Sequence, residues 1–483
     1  MSGVNYLLVT LDQFRAEAMS CAGHPLVQTP TLDGLATEGV RLTRHYAQAA
    51  PCSPGRASLY TGTYQSRHRV VANGTPLDIR FDNVAHAARR AGYQPALFGY
   101  TDQSVDPSTV ASRDDERLGY YDGVLPGFDP VLRMPEDQGP WRAWLEELGY
   151  DPRDHYEDAL RDEPTRPVEL SSSAFLTNGF IDWHAKQEGS WFAHLSYLRP
   201  HPPYAAAGEF ATRYDPGDVE LPVAPTPTPH PLHAMALDVE AVRAPTDERA
   251  MRNLKAQYYG MVSEVDLQLG RALEAIRAAG QWDDTVVIVT ADHGEQLGDH
   301  GLLEKLGFFE ESYAILGLVR DPRHQGTHGS TITAFTENVD VMPTLCEMMG
   351  LEVPLQCDGY SLLPWLRGER PKSWRSSAHY EWDWRYLLLA GADLSWPFGR
   401  NIHQHNLAVV RGEDYAYVQF GDGTFLDFDL AEDATWRTTS EDLATSFEHA
   451  REMLVWRQTH LERTYTEMLV GEGRVGRWPV ELA

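Results

Sequence analysis

Long apolar runs are missing from this chain. None approaches the roughly 20 residues a bilayer-spanning helix needs, and the nearest, Val286–Thr290 and Tyr313–Val319, are of strand length. Basic residues are scarce as well: 41 Lys and Arg stand against 70 Asp and Glu, a formal net charge of −29. That excess repels nucleic-acid phosphates and anionic lipid surfaces, so neither nucleic acid nor a membrane is an expected partner. An anionic substrate would have to meet positive charge concentrated locally, in a metal and a few Arg, Lys and His side chains. Cysteine is rare too, with four residues at 21, 52, 346 and 357 in neither metal-site nor disulfide-framework spacing. Cys21, Cys346 and Cys357 are expected to be small core residues. No basic n-region or small-residue cleavage site precedes the apolar Tyr6-Leu7-Leu8-Val9, which leads to a cytoplasmic expectation. Internal repeats are absent, and the one biased stretch is the Pro- and Ala-rich segment 202–244, read as a long surface excursion near the site.

What is present describes a folded protein. Hydrophobic residues at 42% and charged residues at 23% exclude extensive disorder, and 483 residues suit one large domain plus a smaller one. Strand-like runs alternate with helical ones: Tyr6–Leu11, a helix over Asn83–Ala91 followed by Gln94–Phe98, and a long helix ending near Ala279 followed by Val286–Thr290. The alternation predicts an α/β sandwich with a large mixed, mostly parallel sheet. In the long helix Met261, Val265, Leu269 and Leu273 recur at helical spacing, Gly280 supplies a stop, and Glu264 and Asp266 read as a solvated face. The strand after it delivers Asp292 and His293 to its carboxyl end, where open α/β sheets bind ligands. Beyond residue 370 the pattern changes to short strands, Leu407–Arg411, Ala416–Phe420 and Phe425–Leu430, then a helix over Glu441–Met468. The expected division is a catalytic domain over 1–370 and a smaller α+β domain with antiparallel strands over 371–483.

The segment Cys52-Ser53-Pro54-Gly55-Arg56, extended by Leu59, Thr61 and Gly62, carries a long and specific motif, C-x-P-x-R followed by x-x-L-x-T-G. It resembles the signature of the sulfatases, formylglycine-dependent members of the alkaline phosphatase superfamily. Further likeness runs through about the first 370 residues: His24-Pro25, Thr29–Asp33, Leu198-Arg199-Pro200-His201-Pro202-Pro203-Tyr204, Tyr258–Val262, Asp292–Glu295, Leu297–Gly301 and Lys305. The resemblance implies an alkaline phosphatase-like fold. It also implies that a formylglycine-generating enzyme oxidises Cys52 to an aldehyde whose hydrate attacks a sulfate or phosphonate ester. One hydroxyl of the hydrate would attack, and deprotonation of the other would expel the product without a second attack on a hindered, charged centre.

The resemblance also assigns roles. Asp12, Gln13, Asp292, His293 and residue 52 would hold one divalent cation, and carboxylate, amide and imidazole donors suit Ca²⁺ or Mn²⁺. Arg56 would hold the hydrate and the charge at the metal. Lys305 and His201 would contact the transferring group and its leaving oxygen, with His201 able to protonate it from an ordinary pKa near 6.5. Asn73 and Tyr100 would donate to nonbridging oxygens, against ordinary readings of a capping Asn and a half-buried Tyr. Many sulfatases carry two basic residues where this chain reads Gly99-Tyr100-Thr101-Asp102. Gln13, Asn73, Tyr100 and Arg199-Pro200-His201 instead resemble the phosphonate monoester hydrolase and phosphodiesterase branch, which usually has Thr at Asp102. Asp102 is therefore a carboxylate facing an anionic substrate. The expected activity is hydrolysis of sulfate monoesters, with phosphonate monoesters and phosphodiesters as the alternative on the same site. A homo-oligomer is expected. Two rivals remain: a Ser or Thr nucleophile at Ser53 or Thr61, and a silent metal-binding homologue with unmodified Cys52. His45, His68, His86, His184, His194, His300 and His324 read as structural.

Overall fold

The computed structural model describes residues 3–384, 401–460, 468–471 and 474–477. Its main sheet has eight strands: β1 Asn5–Leu11, β2 Val40–Tyr46, β3 Pro95–Gly99, β4 Asp129–Arg133, β5 Phe192–Tyr197, β6 Thr285–Thr290, β7 Gly317–Arg320 and β8 Ser330–Glu337. Their spatial order is β4-β3-β5-β1-β6-β7-β2-β8. All pairs are parallel except those of β7, which runs antiparallel to both β6 and β2.

The continuous apolar character of β1 and β6 follows from burial on both faces. Leu7, Val9, Leu11, Val287 and Val289 point into one core, where Met261, Val265 and Leu269 of the long helix Glu248–Ala278 meet them. Tyr6, Leu8, Val286 and Ile288 point into the opposite core with Leu59, Tyr60, Val341 and Leu345. Asp247 caps the long helix by accepting from Ala250 N, and Gly280, with φ +70°, follows its end.

A second, antiparallel sheet has the order Phe425–Asp429, Tyr415–Phe420, Asn406–Arg411, Ala378–Asp383. Helix Leu443–Thr459 lays Met453 and Trp456 on Ala408, Val410 and Tyr417. This layer meets the loop ahead of Cys52: Glu381 N donates to Gln48 O at 2.9 Å, and the Tyr380 ring stacks on Tyr313 at 4.0 Å. Among the described residues, no helix is long and apolar enough to cross a membrane.

Several expectations need correction. Glu264 and Asp266 are each 1% exposed rather than solvated. Glu264 accepts from Ser171 and Ser173 hydroxyls at 2.7 and 2.9 Å, and Asp266 accepts from Thr31 and Leu32 N–H at 3.0 and 2.9 Å, which caps helix Pro30–Glu38. The apolar stripe marked one buried side of the long helix, whereas flanking helices cover its shoulders too. Cys346 is buried, but Cys21 and Cys357 are only partly so. The last helix stops at Thr459, and Met468 opens a short hairpin strand paired with Arg474–Arg477; residues 461–467 lie outside the described ones. The Pro-rich excursion includes helix Pro231–Leu237, and its Val223, Val242 and Ala244 bond to the backbone of His300, Leu303 and Gly301 in turn, bracing the loop that leads to Lys305.

Helix Cys52–Thr61 lies hard against the end of β6, and a Cβ on Gly55 would sit 2.4 Å from the Asp292 carbonyl oxygen. Gly55→Ala should therefore push helix and strand apart and destabilise the protein by about 1–3 kcal/mol, as overpacking does. Denaturant unfolding with an unchanged midpoint would refute this close approach.

Candidate active site

The site assembles at the carboxyl ends of parallel strands, as an open α/β sheet predicts. Asp12 and Gln13 follow β1, Tyr100 and Asp102 follow β3, His201 lies four residues past β5, and Asp292 and His293 follow β6. Cys52 opens helix Cys52–Thr61, and Arg56 is one turn further on. Lys305 arrives from the loop after Asp299–Gly301. All are buried except His201, which is partly exposed, as is Asn73.

Asp12, Cys52, Asp292 and His293 each offer a ligand atom, and these four atoms lie within 4.8 Å of one another. His293 Nδ1 donates to Gly294 O at 3.0 Å, which leaves the Nε2 lone pair directed at the group. That nitrogen is 3.3 Å from Cys52 Sγ, 3.9 Å from Asp12 Oδ1 and 3.8 Å from Asp292 Oδ2. Burial and Lys305 hold His293 well below the usual imidazole range, so it stays neutral and able to ligate. Gln13 stands beside the group: its N–H donates to Asp292 Oδ1 at 3.2 Å, its amide oxygen accepts from Lys305 Nζ at 2.7 Å, and its amide nitrogen donates to Glu295.

Arg56, fully buried, joins the two carboxylates. Nε donates to Asp292 Oδ2 at 2.9 Å and Nη2 to Asp12 Oδ2 at 3.0 Å, while Nη1 donates to Ser196 Oγ at 2.8 Å and Tyr100 O at 3.2 Å. The guanidinium also lies over the Tyr100 ring at 4.2 Å, and Tyr100 OH donates to Asp12 Oδ2 at 2.5 Å. Burial and the Asp12 charge push the Asp292 carboxyl up, and Arg56 and Lys305 oppose them. Burial opposes ionisation of Asp12 as well, but the positive charges of Arg56 and Lys305 outweigh it and hold Asp12 far below the carboxylate range. Two carboxylates and an imidazole lone pair with one shared arginine leave room in the charge balance for a divalent cation, and the oxygen and nitrogen donors fit a hard or borderline one. The Cys52 thiol, by contrast, is pushed well above its ordinary value by burial and by Asp12. As a thiol it is neither an effective nucleophile nor a ready thiolate ligand.

A cavity of about 70 Å³ opens at Cys52, lined also by Asn73, Tyr100, Asp102 and His201. His201 Nδ1 donates to Pro202 O at 2.8 Å and its Nε2 faces Lys305 Nζ at 3.0 Å. Burial and Lys305 lower the His201 pKa, so the proton between these side chains rests on Lys305 rather than on His201. Asn73 Oδ1 accepts from Ser53 N at 3.0 Å, holding the first turn of the Cys52 helix and leaving its amide N–H groups as donors. Thr61 sits at the far end of that helix with its hydroxyl bonded to Ala57 O, and Ser53 Oγ has no hydrogen-bond partner among the described residues, so neither has a base to activate it. The histidines read as structural pack elsewhere, as with His45 against Thr336 and Asn338 and His300 stacked on Phe309.

A sulfatase family model matches residues 4–351, more than half the chain. The chain belongs to the sulfatase family. A second model, of the N-sulphoglucosamine sulphohydrolase C-terminal region, matches residues 298–427 of this sulfatase. It is 36% identical over 503 residues to the multifunctional alkaline phosphatase superfamily protein PehA of Trinickia caryophylli, covering 96% of this chain and 97% of that one. The phosphonate monoester hydrolase of Agrobacterium radiobacter superposes with a TM-score of 0.90 at 36% identity, over 99% of this chain and 100% of that one. An arylsulfatase of Clostridium perfringens is 24% identical, over 96% of each chain.

The sulfatase site contains residues that sequence reading missed. Tyr121, Glu136 and Gln138 line the cavity from irregular segments and Tyr156 from the start of helix Tyr156–Arg161, and none of these segments carries a motif. Ser196 and Glu295, which hold Arg56 and Gln13, were findable: one closes a strand and the other follows Asp292-His293-Gly294 directly. Arg56→Ala would leave Asp12 and Asp292 buried without their shared cation. Chelator-treated protein should lose about 3–5 kcal/mol in urea unfolding; a change below about 1 kcal/mol would show that the arginine does not hold the two carboxylates together.

Proposed function

We propose that this sulfatase hydrolyses singly charged esters through a formylglycine derived from Cys52, with phosphonate monoesters and phosphodiesters ahead of sulfate monoesters. The observation that carries the reading is the convergence of Cys52 with Asp12, Asp292 and His293 opposite the Lys305–His201 pair. Identity supports the order of substrates: the Trinickia and Agrobacterium proteins stand at 36%, and the arylsulfatase at 24%. The domain division at residue 370, maturation by a formylglycine-generating enzyme and assembly into a homo-oligomer belong to the same proposal.

A divalent cation, Ca²⁺ or Mn²⁺, held by Asp12, Gln13, Asp292, His293 and residue 52, would supply Lewis acidity and positive charge at the reacting ester. The aldehyde hydrate would supply a hydroxyl for attack and a second one for product release. The remaining work falls to the side chains around the cavity. Arg56 fixes Asp12 and Asp292. Asn73 has amide N–H donors at the cavity, where nonbridging oxygens would lie, and the Tyr100 hydroxyl, which lines the cavity too, is given to Asp12. Lys305 carries the proton beside the leaving oxygen, and His201, its hydrogen-bond acceptor, orients it. Asp102, at the cavity wall, opposes any second negative charge on the substrate.

Cys52→Ala should lose nearly all turnover while folding normally, and activity within about tenfold of wild type, a barrier change of about 1.4 kcal/mol, would sink the mechanism. Intact mass of the Cys52 peptide distinguishes formylglycine from an unmodified, silent homologue. Chelation should abolish activity, and Mn²⁺ or Ca²⁺ should restore it. On nitrophenyl substrates, the phosphonate and sulfate monoesters should exceed the dianionic phosphate monoester by about 10² in kcat/KM, because an extra desolvated charge lacks compensation. A faster phosphate monoester would end the electrostatic account.

A further inference from the structure

The cavity wall that carries Asp102 and Glu136 is acidic, which is unusual beside the nucleophile position of an enzyme for anionic esters. Asp102 is 5% exposed and held at φ +50°, and its one charged contact is Arg56 Nε at 3.8 Å, an arginine already shared by Asp12 and Asp292. Among the described residues no group donates a hydrogen bond to the Asp102 carboxylate. Glu136 lines the same cavity from its exposed edge and accepts from Tyr121, a neutral donor. Gln138 completes this side: it is 2% exposed, its amide nitrogen donates to Pro135 O at 2.9 Å, and its Oε1 has no partner among the described residues. Two carboxylates and an unsatisfied carbonyl oxygen offer acceptors only. Tyr100, Tyr121 and Tyr156 stand around them, and aromatic faces add attraction for a cation.

Asp102 and the Gln138 carbonyl oxygen are buried acceptors without donors, which is costly, and a ligand that supplies the missing donors recovers that cost on binding, while Glu136 adds negative charge at the cavity's edge. The group that fits is small, positively charged and rich in N–H. We propose that Asp102, Glu136 and Gln138 form a specificity subsite for a primary ammonium group on the substituent of the ester that does not leave, so that the preferred substrates are zwitterionic: aminoalkylphosphonate monoesters or phosphodiesters with an aminoalkyl arm. The proposal rests on the ester-hydrolase reading above and adds the identity of the substituent. It pairs the substrate's negative charge with Lys305 and its positive charge with Asp102. Specificity of this kind comes from groups left unpaired when the wrong substrate binds, and it can exceed what an apolar pocket achieves.

The test uses isosteres that differ in charge alone, 4-nitrophenyl 2-aminoethylphosphonate and 4-nitrophenyl propylphosphonate, on the matured, metal-loaded enzyme. The aminoethyl compound should be favoured at least tenfold in kcat/KM, chiefly through KM, and Asp102→Asn with Glu136→Gln should bring the ratio close to one. Because the readout is a ratio on one enzyme preparation, partial misfolding of the variant does not mimic the effect. Equal or reversed preference in the wild type overturns the subsite while leaving ester hydrolysis intact. Should neither compound be hydrolysed, the ester-hydrolase reading fails, and calorimetry with the free acids still decides the subsite: tighter binding of 2-aminoethylphosphonate than of propylphosphonate, lost in the double variant, supports it, and equal binding refutes it.

Discussion

The arrangement depends on one buried arginine. Arg56 has no exposed surface, and its guanidinium bonds Asp12, Asp292, Ser196 and the Tyr100 carbonyl together. Each of these partners belongs to a different strand end. Burying three ions is expensive, at several kcal/mol each, and the cost is offset only when nearly every donor and acceptor is used. That condition ties the Cys52 helix to β1, β3, β5 and β6 at once: moving any of them unpairs a charge. The requirement for Gly55 at the helix face follows from the same closeness.

Sheet topology makes the convergence possible. The strands that carry site residues, β3, β5, β1 and β6, are consecutive across the sheet and mutually parallel, so their carboxyl ends share one edge. The next strand, β7, runs the other way, and it contributes none of the side chains discussed above. Burial of β1 and β6 on both faces fixes the strand ends as tightly as the core itself, which gives Asp12 and Asp292 defined positions before any ligand arrives.

Much of this was legible in the sequence, for reasons that differ by residue. Cys52 and Arg56 sit one helical turn apart in a long motif, and Asp292-His293 follow a strand that reads clearly as buried, so their placement needed little tertiary information. Glu264 and Asp266 were misread because helical periodicity reports a stripe, while caps and side-chain bonds from Thr31, Leu32, Ser171 and Ser173 come from segments far away in the chain. Tyr121, Glu136 and Gln138 were invisible for a related reason: they lie in irregular backbone between β3 and helix Gly139–Glu147, where no periodicity or motif constrains residue choice. The pairing of Lys305 with Gln13 and His201 joins three separate loops and carries no local signal either.

The contact between Lys305 and His201 changes the division of labour that composition suggested. A net charge of −29 required local positive charge near the substrate, and among the described residues the site meets that demand with two permanently charged side chains, Arg56 and Lys305. Arg56 is committed to Asp12 and Asp292. Lys305 has neutral neighbours in Gln13 and His201, with the Glu304 carboxylate at 3.7 Å. Its charge acts on Asp12 and Asp292 as well. A lysine held against a neutral imidazole also has somewhere to place its hydrogen bond before substrate binds, so its orientation is set in advance. Burial, which drives His201 away from protonation, is thus what makes it a good partner for Lys305: it accepts without competing for the charge.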